Sequence, residues 1–157
     1  MIHRSALAAL AALMVFAAVA VAAVDRAEYK AMVEPICKKN KQASDRLLKG
    51  VRDLVRRDKL KLAGERFAKA ARALQGTHRQ LAAIEQPAAD STRLDRWLSE
   101  IRAEAALMKT IGRKFRGGDK SKATSLAVKL QNNASRANNL VIVFQFNYCK
   151  IDPSKYT

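Results

Sequence analysis

The sequence predicts an all-α fold, an up-down-up-down four-helix bundle that is closed by one disulfide and preceded by a signal peptide. Three observations lead to this prediction. Apolar residues recur at alternating steps of three and four over most of the chain, the period of helices that pack in bundles. Two cysteines, Cys37 and Cys149, lie near the two ends of this helical region. The chain also begins with an apolar run of the kind that directs export.

The first element, residues 1–23, has the pattern of a secretory signal peptide. A basic residue, Arg4, precedes an apolar run over Ala6–Val24, and small residues stand in A-x-A order at 18–22. An uncleaved N-terminal membrane anchor is the alternative, because the run is about as long as the ~18 to 20 residues that a membrane span needs. No cysteine stands at the end of the run, so a lipid anchor is not expected. We therefore expect a secreted or periplasmic protein.

The charge balance is strongly basic. The chain has 30 Lys and Arg against 14 Asp and Glu, a net charge of +16. Cleavage after Ala23 removes Arg4 and leaves +15. Such a charge favours solubility and attraction to polyanions, although cations that simply cover solvated helices are the alternative explanation.

The two cysteines predict a disulfide. An even pair in an oxidising compartment is typical of a structural bridge, and closing so long a loop stabilises by about 4 to 5 kcal/mol in the chain-entropy model. Two thiols without partner histidines fall short of the four ligands of a zinc site. We expect neither a metal nor another cofactor.

The helices follow in order within a bundle at 36–151, after a lead-in segment at 24–35 and before a tail at 152–157. Pro35 suits the first turn of helix one. The predicted core positions of helix one are Cys37, Asn40, Ser44, Leu47, Val51 and Leu54. Those of helix two are Leu60, Ala63, Phe67, Ala70, Leu74, Thr77, Leu81 and Ile84, and those of helix three are Leu94, Leu98, Ile101, Ala105, Met108 and Phe115. Breaks are expected at 57–58, 86–91 and 117–119, where caps and helix stops occur.

The stretch NNLVIVFQFNYC, residues 138–149, is predicted to be the end of helix four. Steps of four and three place its members on the core face after four alanines and a leucine. These positions are Ala123, Ala127, Leu130, Ala134, Ala137, Val141, Phe144 and Tyr148. A strand is the alternative, because VIVFQF has a β-prone composition. In this bundle the start of helix one and the end of helix four lie at the same end, which brings Cys37 and Cys149 together.

The sequence favours a binding protein over an enzyme. His78 is the one histidine after the signal segment, and we expect it at the surface. Nucleophile, haem, di-iron and nucleotide-binding signatures are all missing. Glu100 and Glu104 share a helix face, where exposed charge pairing explains them.

Basic residues concentrate at two turns that the bundle brings to one end. The expected members of this anion-binding tip are Arg52, Arg56, Arg57, Lys59, Lys61, Arg113, Lys114, Arg116, Lys120 and Lys122, against Asp53, Asp58 and Asp119. Candidate partners are an anionic polymer, lipid head groups or an acidic protein. The turns contain no aromatic residue except Phe115, so sequence-specific nucleic acid is not expected. The alternative is that these cations complement helix dipoles and otherwise face water.

A candidate pocket is predicted at the other end of the bundle. Its members combine polar groups with the single tryptophan: Asn40, Ser44, Thr77, Trp97, Phe144 and Tyr148. Apolar walls with a few polar groups suit a small ligand. The alternative is a core layer whose polar groups satisfy one another.

Two short motifs carry a resemblance. With E-P-I-C-x-x-N at 34–40 and F-x-F-N-Y-C at 144–149, the chain resembles small secreted, sometimes lipid-anchored, helical proteins of unknown function. The resemblance implies a disulfide-closed helical domain and no activity. The departures are a more basic surface and no cysteine for lipid attachment.

Taken as a whole, the sequence predicts an extracytoplasmic binding or interaction protein that uses its basic tip. A small-ligand carrier that uses the pocket near Asn40 and Trp97 is the first alternative. A structural or scaffold protein of the cell envelope is the second.

Overall fold

The computed structural model describes residues 23–152 and confirms the all-α class. Within that range the chain forms four long helices, one short helix and no strand. They are α1 (Arg26–Leu48), α2 (Val51–Arg56), α3 (Leu60–Ala82), α4 (Ser91–Arg116) and α5 (Lys120–Leu140), with 3-10 turns at Ala88–Asp90 and Ile142–Phe144. The predicted signal peptide and tail lie outside the described residues, except for residues 23 and 152. No helix in the described part has both the length and the apolarity to cross a membrane.

Helix α1 begins at a side-chain cap from Asp25 and continues through Pro35. The expectation of a separate lead-in at 24–35 is therefore corrected, because most of that segment belongs to α1. A proline inside a helix removes one backbone hydrogen bond, but tertiary packing of an apolar face can outweigh this loss. The buried side chains of α1 lie on one face on both sides of the proline: Tyr29, Val33 and Cys37.

The first helical region breaks earlier than expected. Gly50 has φ +73°, a backbone conformation that residues other than glycine rarely adopt, and it separates α1 from α2. The predicted break at 57–58 is also present, so α2 is only six residues long. Its buried residue Val51 anchors it to the core.

Side-chain bonds join the two ends of α1 to later parts of the chain, the turn before α4 and helix α3. At the start of α1, Arg26 donates to both carboxylate oxygens of Asp90 at 2.6 and 2.9 Å. The hydrogen bond from Arg26 holds the pKa of the buried Asp90 below its ordinary value, so this carboxylate stays ionised. At the other end, Arg66 of α3 donates to the backbone carbonyl of Lys49.

The core positions predicted from the three-four period are largely buried. Helix α1 packs on α3, α3 on α4, and α4 on α5. The buried members are Ala63, Phe67, Ala70, Leu74 and Leu81 on α3, Leu94, Leu98, Ile101, Ala105, Met108 and Phe115 on α4, and Ala123, Ala127, Leu130, Ala134 and Ala137 on α5. The local period of apolar residues was therefore sufficient to assign these three helices and their inward faces.

The chain after α5 is neither the end of a helix nor a strand, and the prediction for 138–149 is wrong beyond Leu140. Residues 141–152, here called the C-terminal strap, make one 3-10 turn and then run irregularly. Both Phe144 and Phe146 are buried, whereas residues two apart on a helix point to different sides. Aromatic contacts explain the arrangement: Phe144 lies 5.2 Å from Phe146 and 5.8 Å from Tyr29 between ring centroids. Tyr29 is fully buried in this cluster, and burial raises the pKa of its hydroxyl to about 12.

The strap is held against α1 by the predicted disulfide and by polar contacts. The Sγ atoms of Cys37 and Cys149 are 2.07 Å apart, which confirms the bridge. Cys149 lies on the strap and not on a helix, so the pairing was right although the expected helix-to-helix geometry was not. The carboxylate of Glu34 accepts the backbone N–H groups of Asn147 and Tyr148, the latter at 2.9 Å.

Helices α3 and α4 approach each other closely where Gly64 meets Gly112. A Cβ atom on Gly64 would lie 2.5 Å from the carbonyl oxygen of Gly112, and one on Gly112 would lie 2.8 Å from the carbonyl oxygen of Gly64. These neighbours are backbone atoms, so the helices would have to move apart to admit a methyl group.

We expect Gly64→Ala to lower the free energy of unfolding by about 1 to 3 kcal/mol, because it forces the two backbones apart. Gly76→Ala on the same helix is the matched control, because its Cβ would have only the Arg79 guanidinium within 4.0 Å. The control should raise stability by up to about 1 kcal/mol through helix propensity. Urea unfolding followed by circular dichroism measures both. Equal stability of the two variants would contradict the close contact.

Candidate functional site

A cavity of about 720 Å³ opens along one face of α1, and it is bounded by α2, α3, α4 and the strap. On α1 and the following turn its wall runs from Cys37 to Gly50. At 1.5 Å per residue this is a length of about 20 Å. The cavity is therefore elongated, and its volume falls in the range of about 300 to 1,000 Å³ that is typical of ligand pockets.

The structure brings five of the six predicted pocket residues together in this wall. They are Asn40, Ser44, Thr77, Trp97 and Tyr148. Phe144 is the exception, because it packs into the aromatic cluster with Tyr29 and Phe146. Tyr148 was expected in the core and is instead 37% exposed.

Trp97 forms a fully buried part of the wall. Its side chain is 0% exposed and its ring lies 5.7 Å from that of Phe146 on the strap. Its indole Nε1 has no hydrogen-bond partner in residues 23–152. A buried donor without a partner costs about 1 to 3 kcal/mol.

The polar pair Asn40 and Thr77 joins α1 to α3 inside the wall. The Thr77 hydroxyl lies 3.1 Å from Asn40 Oδ1 and 3.2 Å from the carbonyl oxygen of Ala73. One hydroxyl proton can serve only one of these acceptors. Since an amide offers two donors and an acceptor, Asn40 keeps hydrogen-bonding capacity beyond Thr77.

Glu104 is a buried carboxylate that the sequence interpretation missed. Glu104 is 1% exposed and lines the cavity. The expectation that Glu104, like Glu100, forms charge pairs at the exposed surface is therefore corrected. Glu100 instead binds Arg136 of α5 through two contacts of 3.0 Å. Glu104 follows Trp97 by seven residues, two helical turns, so the heptad spacing could have placed it on the same face.

Charged side chains surround the cavity, with more cations than acids. Its basic residues are Lys41, Lys49, Arg52, Arg56 and Lys150, and its acidic residues besides Glu104 are Asp45, Asp53 and Asp152. Lys41 pairs with Asp45 at 3.1 Å, and Arg56 pairs with Asp53. Arg56 was assigned to the basic tip, so this member lies at the cavity as well.

The two turns of the predicted basic tip do meet. The Nζ atom of Lys120 lies 3.6 Å from Asp58 Oδ1, which joins the turn before α3 to the turn before α5. Lys114 pairs with Asp119 at 3.2 Å. Hydrogen bonds from the Lys122 backbone and then the Lys114 side chain hold the pKa of Asp119 below its ordinary value.

Two further members of the tip form hydrogen bonds to uncharged groups. Arg116 uses one nitrogen on the carbonyl oxygen of Gly64 at 3.5 Å, and Arg113 donates to the hydroxyl of Thr110. Across the described ranges, four predicted members make no ion pair with an acidic residue and have no side-chain hydrogen bond. They are Arg57, Lys59, Lys61 and Lys122.

The described residues form no metal cluster, and no family is indicated for the chain. Residues 23–152 contain no group of three or more His, Cys, Asp or Glu side chains that could hold a metal ion. No family model, curated protein or solved structure matches the chain.

We expect reduction of the disulfide to release the strap and expose Trp97, because Phe146 of the strap covers its ring. Trp97 is the only tryptophan, so its fluorescence should move to longer wavelength and become more accessible to acrylamide. Stability should fall by up to about 4 to 5 kcal/mol in the chain-entropy model. A variant with Cys37→Ser and Cys149→Ser should behave in the same way without reductant. Unchanged emission would show that the strap stays in place without the bridge.

Proposed function

We propose that the protein binds a small organic molecule in the cavity between α1, α3, α4 and the strap. The observation that carries this proposal is the cavity of about 720 Å³, whose wall combines apolar side chains with the buried indole of Trp97 and the half-buried amide of Asn40. Its volume lies within the range of small-molecule sites, and its lining combines apolar side chains with many polar and charged groups.

The proposed role is carriage or sensing rather than catalysis. His78 is the single imidazole in the described part of the chain, and it does not line the cavity. Partial burial, followed by the charges of Arg102 and Arg79, lowers its pKa. The hydroxyls of Ser44 and Thr77 thus have no imidazole base beside them in the wall, which supports a binding role.

We further propose that the protein works outside the cytoplasm as an up-down-up-down bundle. The export pattern of residues 1–23 and the bridge between Cys37 and Cys149 support this location, because structural disulfides persist in oxidising compartments. Retention of the N-terminal segment as a membrane anchor is the alternative.

A second candidate function is electrostatic attachment through the basic tip. The ion pair between Lys120 and Asp58 supports it, because this contact joins the two basic turns into one surface. The partner would be an anionic polymer, lipid head groups or an acidic protein. Such binding would be sensitive to salt and indifferent to sequence.

We expect Ser44→Phe to abolish binding of a neutral apolar dye, Nile red, because the new ring fills the cavity without removing a packed side chain. The loss should be on the order of tenfold or more in affinity, or about 1.4 kcal/mol. Ser99→Phe, at an exposed position of α4, is the matched control and should bind as the parent does. Dye fluorescence and quenching of Trp97 measure both. Equal binding by the two variants would rule out the cavity as the site.

For the tip, we expect charge reversal of the four cations without acidic partners to weaken binding to phosphatidylglycerol vesicles and to heparin. The variant carries Arg57→Glu, Lys59→Glu, Lys61→Glu and Lys122→Glu. The slope of log affinity against log salt should fall by roughly one per lost contact. The control reverses four exposed lysines elsewhere: Lys39, Lys69, Lys109 and Lys129. If the control loses as much binding, net charge alone explains the attraction.

A further inference from the structure

The elongated cavity, here called the channel, has apolar side chains in each of its helical walls beside its polar groups. Its α3 and α4 walls contribute Leu74, Leu81, Trp97 and Ile101, and the α1 and α2 side contributes Leu48 and Val51. Because the channel follows α1 for about 20 Å, an extended apolar chain would contact more of this wall than a compact ligand of equal volume. Each methylene that is buried against the wall should raise the affinity further.

Charge at the cavity favours an anionic head group. Two of its acids, Asp45 and Asp53, already pair with Lys41 and Arg56. Lys49, at the α1 end of the channel, forms no ion pair in residues 23–152. The same is true of Lys150, which follows Cys149 on the strap.

Burial of the inner wall sets the direction in which such a ligand would enter. Glu104, in the wall formed by α4, is 1% exposed. An ionised head group would lose its water there, which is costly. The head group is therefore expected near the exposed lysines, with the apolar chain inside.

We propose that the ligand is an amphipathic organic anion with a single apolar chain, such as a medium-chain carboxylate. Its chain lies along α1 against Trp97, and its head group lies at Lys49 or Lys150. This assignment rests on the proposed function, because it names the class of molecule that the same cavity accepts.

The test compares three ligands with the same chain and different head groups: decanoate, decan-1-ol and decylammonium. Each ligand is kept below its own micelle concentration and is titrated into the protein without residues 1–23. Trp97 fluorescence reports binding. Decanoate should bind most tightly, and decylammonium most weakly. The preference for decanoate over decan-1-ol should shrink between about 0.05 M and about 0.5 M salt, because screening increases.

Lysine variants locate the head group. Lys49→Gln or Lys150→Gln should weaken decanoate binding by about two- to fivefold and leave decan-1-ol unchanged. Lys129→Gln, on an exposed part of α5 outside the cavity, is the control and should change neither ligand. The variant that responds identifies the end of the channel that holds the head group.

The outcomes separate this inference from the proposed function. If decan-1-ol binds as tightly as decanoate and neither lysine variant has an effect, the anionic class is wrong while the cavity remains a binding site. If decylammonium binds most tightly, the anionic class is wrong and the cavity prefers a cationic head group. If the Ser44→Phe variant responds to all three ligands as the parent does, the cavity itself is not the site and both proposals fail.

Discussion

The bridge between Cys37 and Cys149 is the constraint on which the strap and the cavity beside it depend. It joins residues 112 positions apart, and it fixes an irregular strap that has no regular hydrogen-bonding ladder of its own. Ordering such a segment costs roughly 1 to 2 kcal/mol per residue in backbone entropy. The bridge, the Glu34 carboxylate and the burial of Phe144 and Phe146 offset that cost.

The position of the strap links stability to function. Tyr148 and the residues that follow it close one side of the cavity, and Phe146 covers Trp97. The same covalent bond therefore stabilises the fold and completes the proposed binding site.

The basic surface has a different basis. At the tip, Arg56, Lys114 and Lys120 pair with acidic residues within the protein. Lys49 and Lys150 beside the cavity form no ion pairs in the described residues.

The sequence predicted features that depend on local pattern and missed those that depend on distant contacts. The faces of α3 and α4 followed from apolar spacing, and Asn40 with Thr77 stood out as polar residues on that spacing. Pro35 misled because its local effect is smaller than the packing around it. Val141 and Phe144 fit the helical period of apolar residues, which predicts a helix for the strap. In the structure the Asn138 side chain bonds to the backbone of Ile151 at 2.7 and 2.8 Å, and the chain leaves the helical path. Because Asn138 and Ile151 are 13 residues apart, the local pattern of apolar residues does not indicate this contact.

Hydrogen exchange at the backbone amides of Tyr148 and Ile151 tests most directly whether the bridged strap forms an ordered wall of the cavity. Both amides donate to side chains, of Glu34 and Asn138 respectively. The account predicts slow exchange with the bridge intact and fast exchange after reduction, while amides in the middle of α3 and α4 stay protected. Fast exchange in the oxidised protein, or continued protection after reduction, would contradict it.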